Sequence, residues 1–334
     1  MQRPVGDPSQ DDESVLRELE SVVATHLDRH LSMAQEWFPH QYVPWSRGQD
    51  FDGPLQGRPW EPEQSALPAH ARSALVLSLL TEDNLPSYHT ELITELGRDG
   101  AWGEWTRQWT AEEDRHSTAL RDYLHVTRAV DPVALERHRM QHMRTGYTRE
   151  YPGSVIHGIA YVMVQEQATR VAHRNTGRIS GDPVCERLLS RIAADENLHM
   201  VFYRDLLAAA FDRYPDRTMH AMRDVVRSFR MPGHSAPTLR SAARSIAVSG
   251  ILDRNVLVTE ILQPLLRSLR VFERTDLTGE GESSRERLGQ HLERQKTMIE
   301  RSARWRADRG VKAAPAVRDQ AWPGREAGQP TRTP

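Results

Sequence analysis

Two Glu-x-x-His motifs, Glu113–His116 and Glu196–His199, limit this chain more than any other feature of its sequence. Each is preceded by a further acid on an apolar helical stripe. Glu82 lies 31 residues before Glu113, and Glu166 lies 30 residues before Glu196. One motif alone would mean little. With 25 Glu and 15 His in 334 residues, about one match is expected by chance, so the setting has to decide. In the first motif's helix, Trp102, Trp105, Trp109, Glu113, His116, Leu120 and Leu124 run at spacings of three and four, which is one face of a helix. Leu189, Ile192, Glu196, His199, Tyr203 and Leu206 repeat that pattern. Glu82 continues Leu75 and Leu79, and Glu166 continues Ile159, Val162 and Met163. A carboxylate placed on such a stripe is costly unless it is paired or bound to a metal. On this reading Glu112, Asp114 and Arg115 point away, onto the solvated face of the same helix.

The repeat therefore consists of a helix with one inward Glu, followed by a helix with an inward Glu and His. Four such helices converging make an all-α, ferritin-like four-helix bundle, with four carboxylates and two imidazoles in its core. Oxygen-rich donors with two His suit iron, with manganese as a substitute, better than copper or a tetrahedral structural zinc. Pro86 has no N–H to offer the carbonyl of Glu82, so a kink is expected beside that acid.

The remainder reads as one helical domain over residues 14–308, opened by Ser14 as a helix cap. Residues 1–13 and 309–334 are expected to be disordered. Helices are expected near 66–97, 101–129, 132–147, 153–176, 181–212, 215–230, 236–250 and 251–274, with charged helical sequence at 275–308. Residues 38–64, rich in Pro, Gly and aromatics, have no period and are expected to form a packed functional loop.

Composition closes off other classes. A net charge of −2 gives no cationic field for nucleic acid. The single Cys185 excludes a disulfide framework and a cysteine-held zinc or iron–sulfur site, and fits a reducing cytoplasm. No apolar run approaches the roughly 20 residues of a membrane span. The acidic start, MQRPVGDPSQDDES, reads as neither a signal nor a transit peptide.

Several segments resemble the soluble acyl-[acyl-carrier-protein] desaturases, the stearoyl type and its bacterial members. They are "TEDNLPSYHTEL", "WTRQWTAEEDRHSTALRDYL", "VQEQATRVAHRNTG" and "IAADENLHMVFY", between about residues 77 and 205, with a weaker likeness in "VRSFRMPGH". The resemblance implies that Glu82, Glu113, His116, Glu166, Glu196 and His199 hold two iron ions, the six residues that the spacing also selects. It implies that Thr169 lies on the oxygen-binding side. It further implies that Asp195, beside a ligand histidine, forms an electron path with a tryptophan, to which Trp37 in "EWFPHQYVPW" corresponds. The sequence departs from the family pattern at Asp114, where Asn is usual, and at Leu198 and Met200.

The implied activity is an O₂-dependent desaturation that places a cis double bond in an acyl chain on acyl carrier protein, in fatty acid biosynthesis. No flavin or nicotinamide fingerprint is present, so a ferredoxin-type donor is implied, as is a homodimer. Arg217, Arg223, Arg227, Arg230, Arg240 and Arg244 are one candidate docking patch for the acidic carrier. Arg137, Arg139, Arg144 and Arg149 are another. Two readings stay open beside this one: a di-iron hydroxylase or N-oxygenase, and an iron-binding scaffold without turnover. A radical-generating subunit fits less well, because Leu120 stands where such proteins place a tyrosine.

Overall fold

The computed structural model describes residues 8–149, 151–232 and 240–308. The expected disordered tail at 309–334 lies outside them, as does most of the expected N-terminal segment. The helices are α1 (Pro8–Met33), α2 (Ala69–Asp83), α3 (Leu85–Leu96), α4 (Gly100–Val126), α5 (Pro132–Thr145), α6 (Val155–Ser180), α7 (Pro183–Arg213), α8 (Pro215–Ser228), α9 (Arg240–Val248), α10 (Arg254–Val256), α11 (Gln263–Ser268) and α12 (Gly279–Asp308). Among the described residues the only β pairing is an isolated bridge between Phe51 and Arg58, so the fold is all-α as expected. No helix among these residues is long and apolar enough to cross a membrane.

α2 with α3, α4, α6 and α7 form the bundle, α1 lies against α4 and α7, and α8 packs on α12. Local chemistry sets the hairpin of α6 and α7. Gly181 ends α6 in the left-handed conformation (φ 72°), and Asp182 then caps α7 by accepting from the Val184 N–H, with Pro183 at the first turn. α1 begins at Pro8, six residues before the expected cap at Ser14.

The stretch expected as one helix at 66–97 breaks at Asn84. Pro86 leaves Glu82 O without its helical donor, and the Asn84 side chain turns away to donate to Gly146 O (3.0 Å). The stretch expected at 251–274 is also interrupted, by a π-helical segment at Leu257–Leu262. Pro264 cannot donate to Glu260 O, and the side chain of Gln167 on α6 does so instead (3.0 Å).

The long loop after α1, expected to be packed, is mostly exposed along 38–64, because it lies on the surface and is tied down at a few points. Arg128, buried and at φ 51°, donates to Gln64 Oε1, Arg58 O and Pro59 O and covers the Phe51 ring at 4.1 Å. The loop's first residues carry Trp37 into the core. Most of the apolar core falls into two clusters, one around Trp102, Trp105, Phe202 and Leu206, the other around Leu75, Leu79, Leu120, Leu189 and Ile192, with a small third at Ala74, Ile246 and Ile251. Along α4 and α7 a polar layer separates the first two, at residues 112–116 and 195–199.

Candidate metal centre

Glu82 stands in the last turn of α2, Glu113 and His116 on α4, Glu166 on α6, and Glu196 and His199 on α7. All six are buried. Their ligating atoms gather into two overlapping groups, each within 4.8 Å: Glu82 with Glu113 and His116, and Glu113 with Glu166, Glu196 and His199. Glu113 belongs to both. Glu196 also reaches both, lying 3.7 Å from His116 Nδ1 and 3.8 Å from His199 Nδ1. Two adjacent cation positions sharing carboxylates fit this arrangement.

The fit rests on unsatisfied atoms. Glu166 Oε2, both carboxylate oxygens of Glu196 and His199 Nδ1 are sealed from water without a hydrogen-bond partner. Buried anionic atoms facing one another are strongly unfavourable unless cations or protons lie between them. Protonation answers part of this charge in the apoprotein. Burial and the neighbouring Glu113 push Glu82 up to about 8, and burial holds Glu166 well above the usual carboxylate range. Burial works against ionised Glu196 too, but the facing imidazoles of His173 (3.5 Å) and His199 (3.8 Å) keep it well below that range. His116 and His199 are raised well above the ordinary histidine value, because carboxylate partners outweigh their burial. Metal binding would displace these protons.

Each imidazole turns Nδ1 toward the cluster and Nε2 toward an outer acid. His116 Nε2 lies 3.3 Å from Asp195, and His199 Nε2 lies 2.7 Å from Glu112. Each of these acids immediately precedes the Glu of the other motif, so α4 braces α7 and α7 braces α4. Asp195 also accepts from Trp37 Nε1 (2.6 Å), from Arg115 (3.2 Å) and from Arg191. The Trp37 ring lies near-parallel to His116, 6.2 Å between centroids. Thus Trp37, Asp195 and His116 are in continuous contact. Trp109 Nε1 donates to Glu166 Oε1 (3.0 Å), leaving the other oxygen for the centre.

An apolar cavity opens beside the cluster, with an empty volume of about 920 Å³ including its mouth. Glu82, Glu113 and Trp109 stand at one end, Leu85, Tyr88 and Leu92 of α3 and Val162 of α6 along it, and the ion-paired Glu95 and Arg149 farther out.

The sequence profile of the fatty acid desaturase family matches residues 11–317. This chain belongs to that family. It is 47% identical over 284 residues to a Mycobacterium tuberculosis protein named as an acyl-[acyl-carrier-protein] desaturase, DesA1, covering 83% of this chain and 84% of the relative. It is 32% identical over 266 residues to the chloroplastic stearoyl-[acyl-carrier-protein] 9-desaturase 6 of Arabidopsis thaliana, covering 75% and 67%. The X-ray structure of DesA2 from M. tuberculosis superimposes with a TM-score of 0.65 at 31% identity, over 77% of this chain and 95% of that one.

Within this desaturase, one expectation from the sequence is wrong. Glu112 is not on the solvated face. It is 5% exposed and accepts from His30 (3.0 and 3.1 Å), Gln108 (2.7 Å) and His199. α4 is enclosed by α1 as well as α7, so its buried stripe is wider than a single bundle contact demands. Asp114 is exposed as expected, and Arg115 is half-buried against Asp195. Thr169 is buried one turn after Glu166, its hydroxyl donating to the carbonyls of Glu166 (3.0 Å) and Gln165 (3.3 Å).

Two polar core residues escaped the sequence reading. His173 lies 3.5 Å from Glu196 and 3.7 Å from Glu82, and these carboxylates, against the opposing effect of burial, push it up to about 9. Its position seven residues after Glu166, two turns along the same face, was the available signal. His30 continues the buried stripe Val15, Leu19, Val23 and Leu27 of α1. Neither arginine patch is intact. Arg223 is buried against Asp224 and Ser284, Arg217 pairs with Asp12, Arg139 with Asp83, and Arg149 with Glu95. Arg227, Arg230 and Arg244 remain exposed, as do Arg137 and Arg144, while the side chain of Arg240 lies outside the described residues.

Proposed function

We propose that this chain is a di-iron, O₂-dependent acyl-[acyl-carrier-protein] desaturase acting in fatty acid biosynthesis. The observation that carries the proposal is the sealed layer of four carboxylates and two imidazoles opening onto an apolar cavity. The names of the relatives supply the carrier-bound acyl chain as substrate class. Glu82, Glu113, His116, Glu166, Glu196 and His199 would hold two Fe ions, with Mn as a possible substitute. When bound and reduced, a di-iron centre activates O₂ and so makes it possible to take hydrogen from an unactivated CH₂, which no side chain can do.

The protein does the remaining work. The cavity is lined mainly by apolar side chains with a few polar groups at its ends, the composition of a small-molecule site. Leu85, Tyr88, Leu92 and Val162 would hold the acyl chain along α3 with two adjacent CH₂ groups beside Glu82 and Glu113. Their apolar surface excludes water from the centre. Thr169 holds a proton at Oγ1 on the Glu166 side. Trp37, Asp195 and His116 form the route for electrons from a ferredoxin-type donor. The substrate loses two hydrogen atoms, which supply two protons and two electrons. With two further electrons from the donor and two protons, one O₂ leaves as two waters. The exposed Arg227, Arg230 and Arg244, and Arg137 and Arg144 of the second patch, are the remaining candidates for carrier docking, and a homodimer is carried over on the family likeness alone.

The test is mass spectrometry of acyl carrier protein after reaction with the iron-loaded protein, reduced ferredoxin and O₂. A product two mass units lighter, with its double bond located, is expected. A product heavier by one oxygen would make the chain a hydroxylase. Two Fe per chain without product would make it an iron-binding scaffold.

A further inference from the structure

The contact Trp37–Asp195–His116 has a counterpart across the centre in His30–Glu112–His199. The counterpart uses different chemistry. Asp195 is held by an indole and two arginines, whereas Glu112 is held by the His30 imidazole and the Gln108 amide. We propose that His30 is a positioning residue for the cation position served by His199, acting through Glu112 to fix the His199 ring with Nδ1 toward Glu113, Glu166 and Glu196. This rests on the metal-centre part of the proposed function and concerns a residue that none of the six ligands contacts directly through a hydrogen bond.

The geometry assigns the donors. Both His30 contacts run through Nε2, to the two oxygens of Glu112 at 3.1 and 3.0 Å, while His30 Nδ1 is buried without a partner. His30 therefore carries its proton on Nε2 and donates to the carboxylate. Glu112 Oε2 lies 2.7 Å from His199 Nε2, so that nitrogen also donates. That aims His199 Nδ1 at the centre, 3.0 Å from Glu113, 3.6 Å from Glu166 and 3.8 Å from Glu196. Once a cation displaces its proton, this nitrogen is the one placed to ligate it. The His30 ring cannot turn aside. It meets the Trp105 ring edge-on at 5.1 Å and lies near-parallel to His199 at 5.8 Å. His30 sits in the last turn of α1, so the docking of that helix on α4 and α7 is read out as the aim of one imidazole.

The experiment compares the full chain with His30→Phe and His30→Gln, measuring far-UV circular dichroism, iron per chain on titration, and Mössbauer spectra of the loaded proteins. Phe keeps the ring packing but cannot donate, whereas Gln keeps a donor. The wild type is expected to bind two Fe. His30→Phe should weaken one of the two by about 10- to 100-fold, the usual effect of losing a residue that orients a ligand, and alter one quadrupole doublet only. His30→Gln should restore much of both. Two full-affinity irons with unchanged doublets in a folded His30→Phe would overturn the proposal and leave the metal centre standing. Equal damage to both irons would also overturn it, as a packing defect. A third metal ion per chain, lost with His30, would make His30 a ligand instead. If His30→Phe does not fold, the Gln variant decides alone: an uncoupled His199 site despite the retained donor overturns the assignment, and a wild-type doublet supports it. A wild type that takes up no iron would overturn the metal-centre reading and this proposal together.

Discussion

The two halves of the repeated unit use the same residue types on differently built helices. α6 and α7 are continuous, 26 and 31 residues long, and joined by a two-residue turn. In the other half, the first helix is broken at Asn84, one turn after entering the polar layer, and restarts as α3 on a new line. Glu166 therefore sits mid-helix, locked by Trp109 and wholly buried, whereas Glu82 sits at a helix end facing the cavity. One half walls in the polar layer, and the other opens it onto the apolar cavity. A repeat with two unbroken halves would have the cluster but no room beside it.

The sharpest way to break this comparison is to remove one acid from each half. Glu196→Ala is expected to abolish dinuclear iron binding, because Glu196 faces both His116 and His199. Glu82→Ala should leave the position at Glu166 and His199 able to load, giving about one Fe per chain in a metal titration. Equal loss from both changes would mean that the broken half is no more peripheral than the continuous one.

The same contrast shows what was legible in the sequence. The four inward acids and two histidines stood on apolar stripes at repeated spacing, and the kink at Pro86 follows from a missing N–H. Glu112 was misread because helical period alone describes one buried face, while α4 has neighbours on two sides. His30 and His173 lay on buried stripes, but a single histidine on a stripe carries no partner information, and their partners come from other helices. The loop before α2 is organised by Arg128, some 70 residues later in the chain, so no local pattern shows it. The π-helical segment at 257–262 depends on Gln167 of α6 meeting the carbonyl that Pro264 leaves free. In each case the missing information was a contact between distant segments.

If the broken half exists to make room, filling that room should stop turnover without touching the centre. Leu92 lines the cavity from α3. Leu92→Trp should keep two Fe per chain, cost about 1–3 kcal/mol of stability through overpacking, and lower acyl-chain desaturation at least tenfold. Full activity with an acyl substrate would place the guest elsewhere.

Farther along the cavity, Glu95 is raised to about 7 by burial, with Arg149 pulling the other way. A carboxyl whose folded value lies above its unfolded value near 4.5 binds more protons in the folded state between those two pH values. Its contribution to stability is therefore fully present below pH 4.5 and is lost as pH rises through 7, at up to about 1.4 kcal/mol per pH unit. Glu95→Gln should flatten this part of the stability curve, measured by urea unfolding at pH 5, 6, 7 and 8. An unchanged slope would mean that the Arg149 pair keeps the carboxylate charged throughout.

The smallest effect is expected two residues from the largest structural surprise. Glu112 and Asp114 flank Glu113, and the sequence gives no reason to treat them differently, yet one is buried among donors and the other faces water. Asp114→Asn, which installs the residue more usual in the family pattern, removes an exposed charge from the middle of α4. It should change stability by no more than about 0.5 kcal/mol, as substitutions at exposed positions without special contacts do. Iron per chain should stay at two, and the Mössbauer doublets should not move. A change in either would show that the outer face of α4 is coupled to the centre, and that the division of this helix into one polar face and one ligating face is drawn in the wrong place.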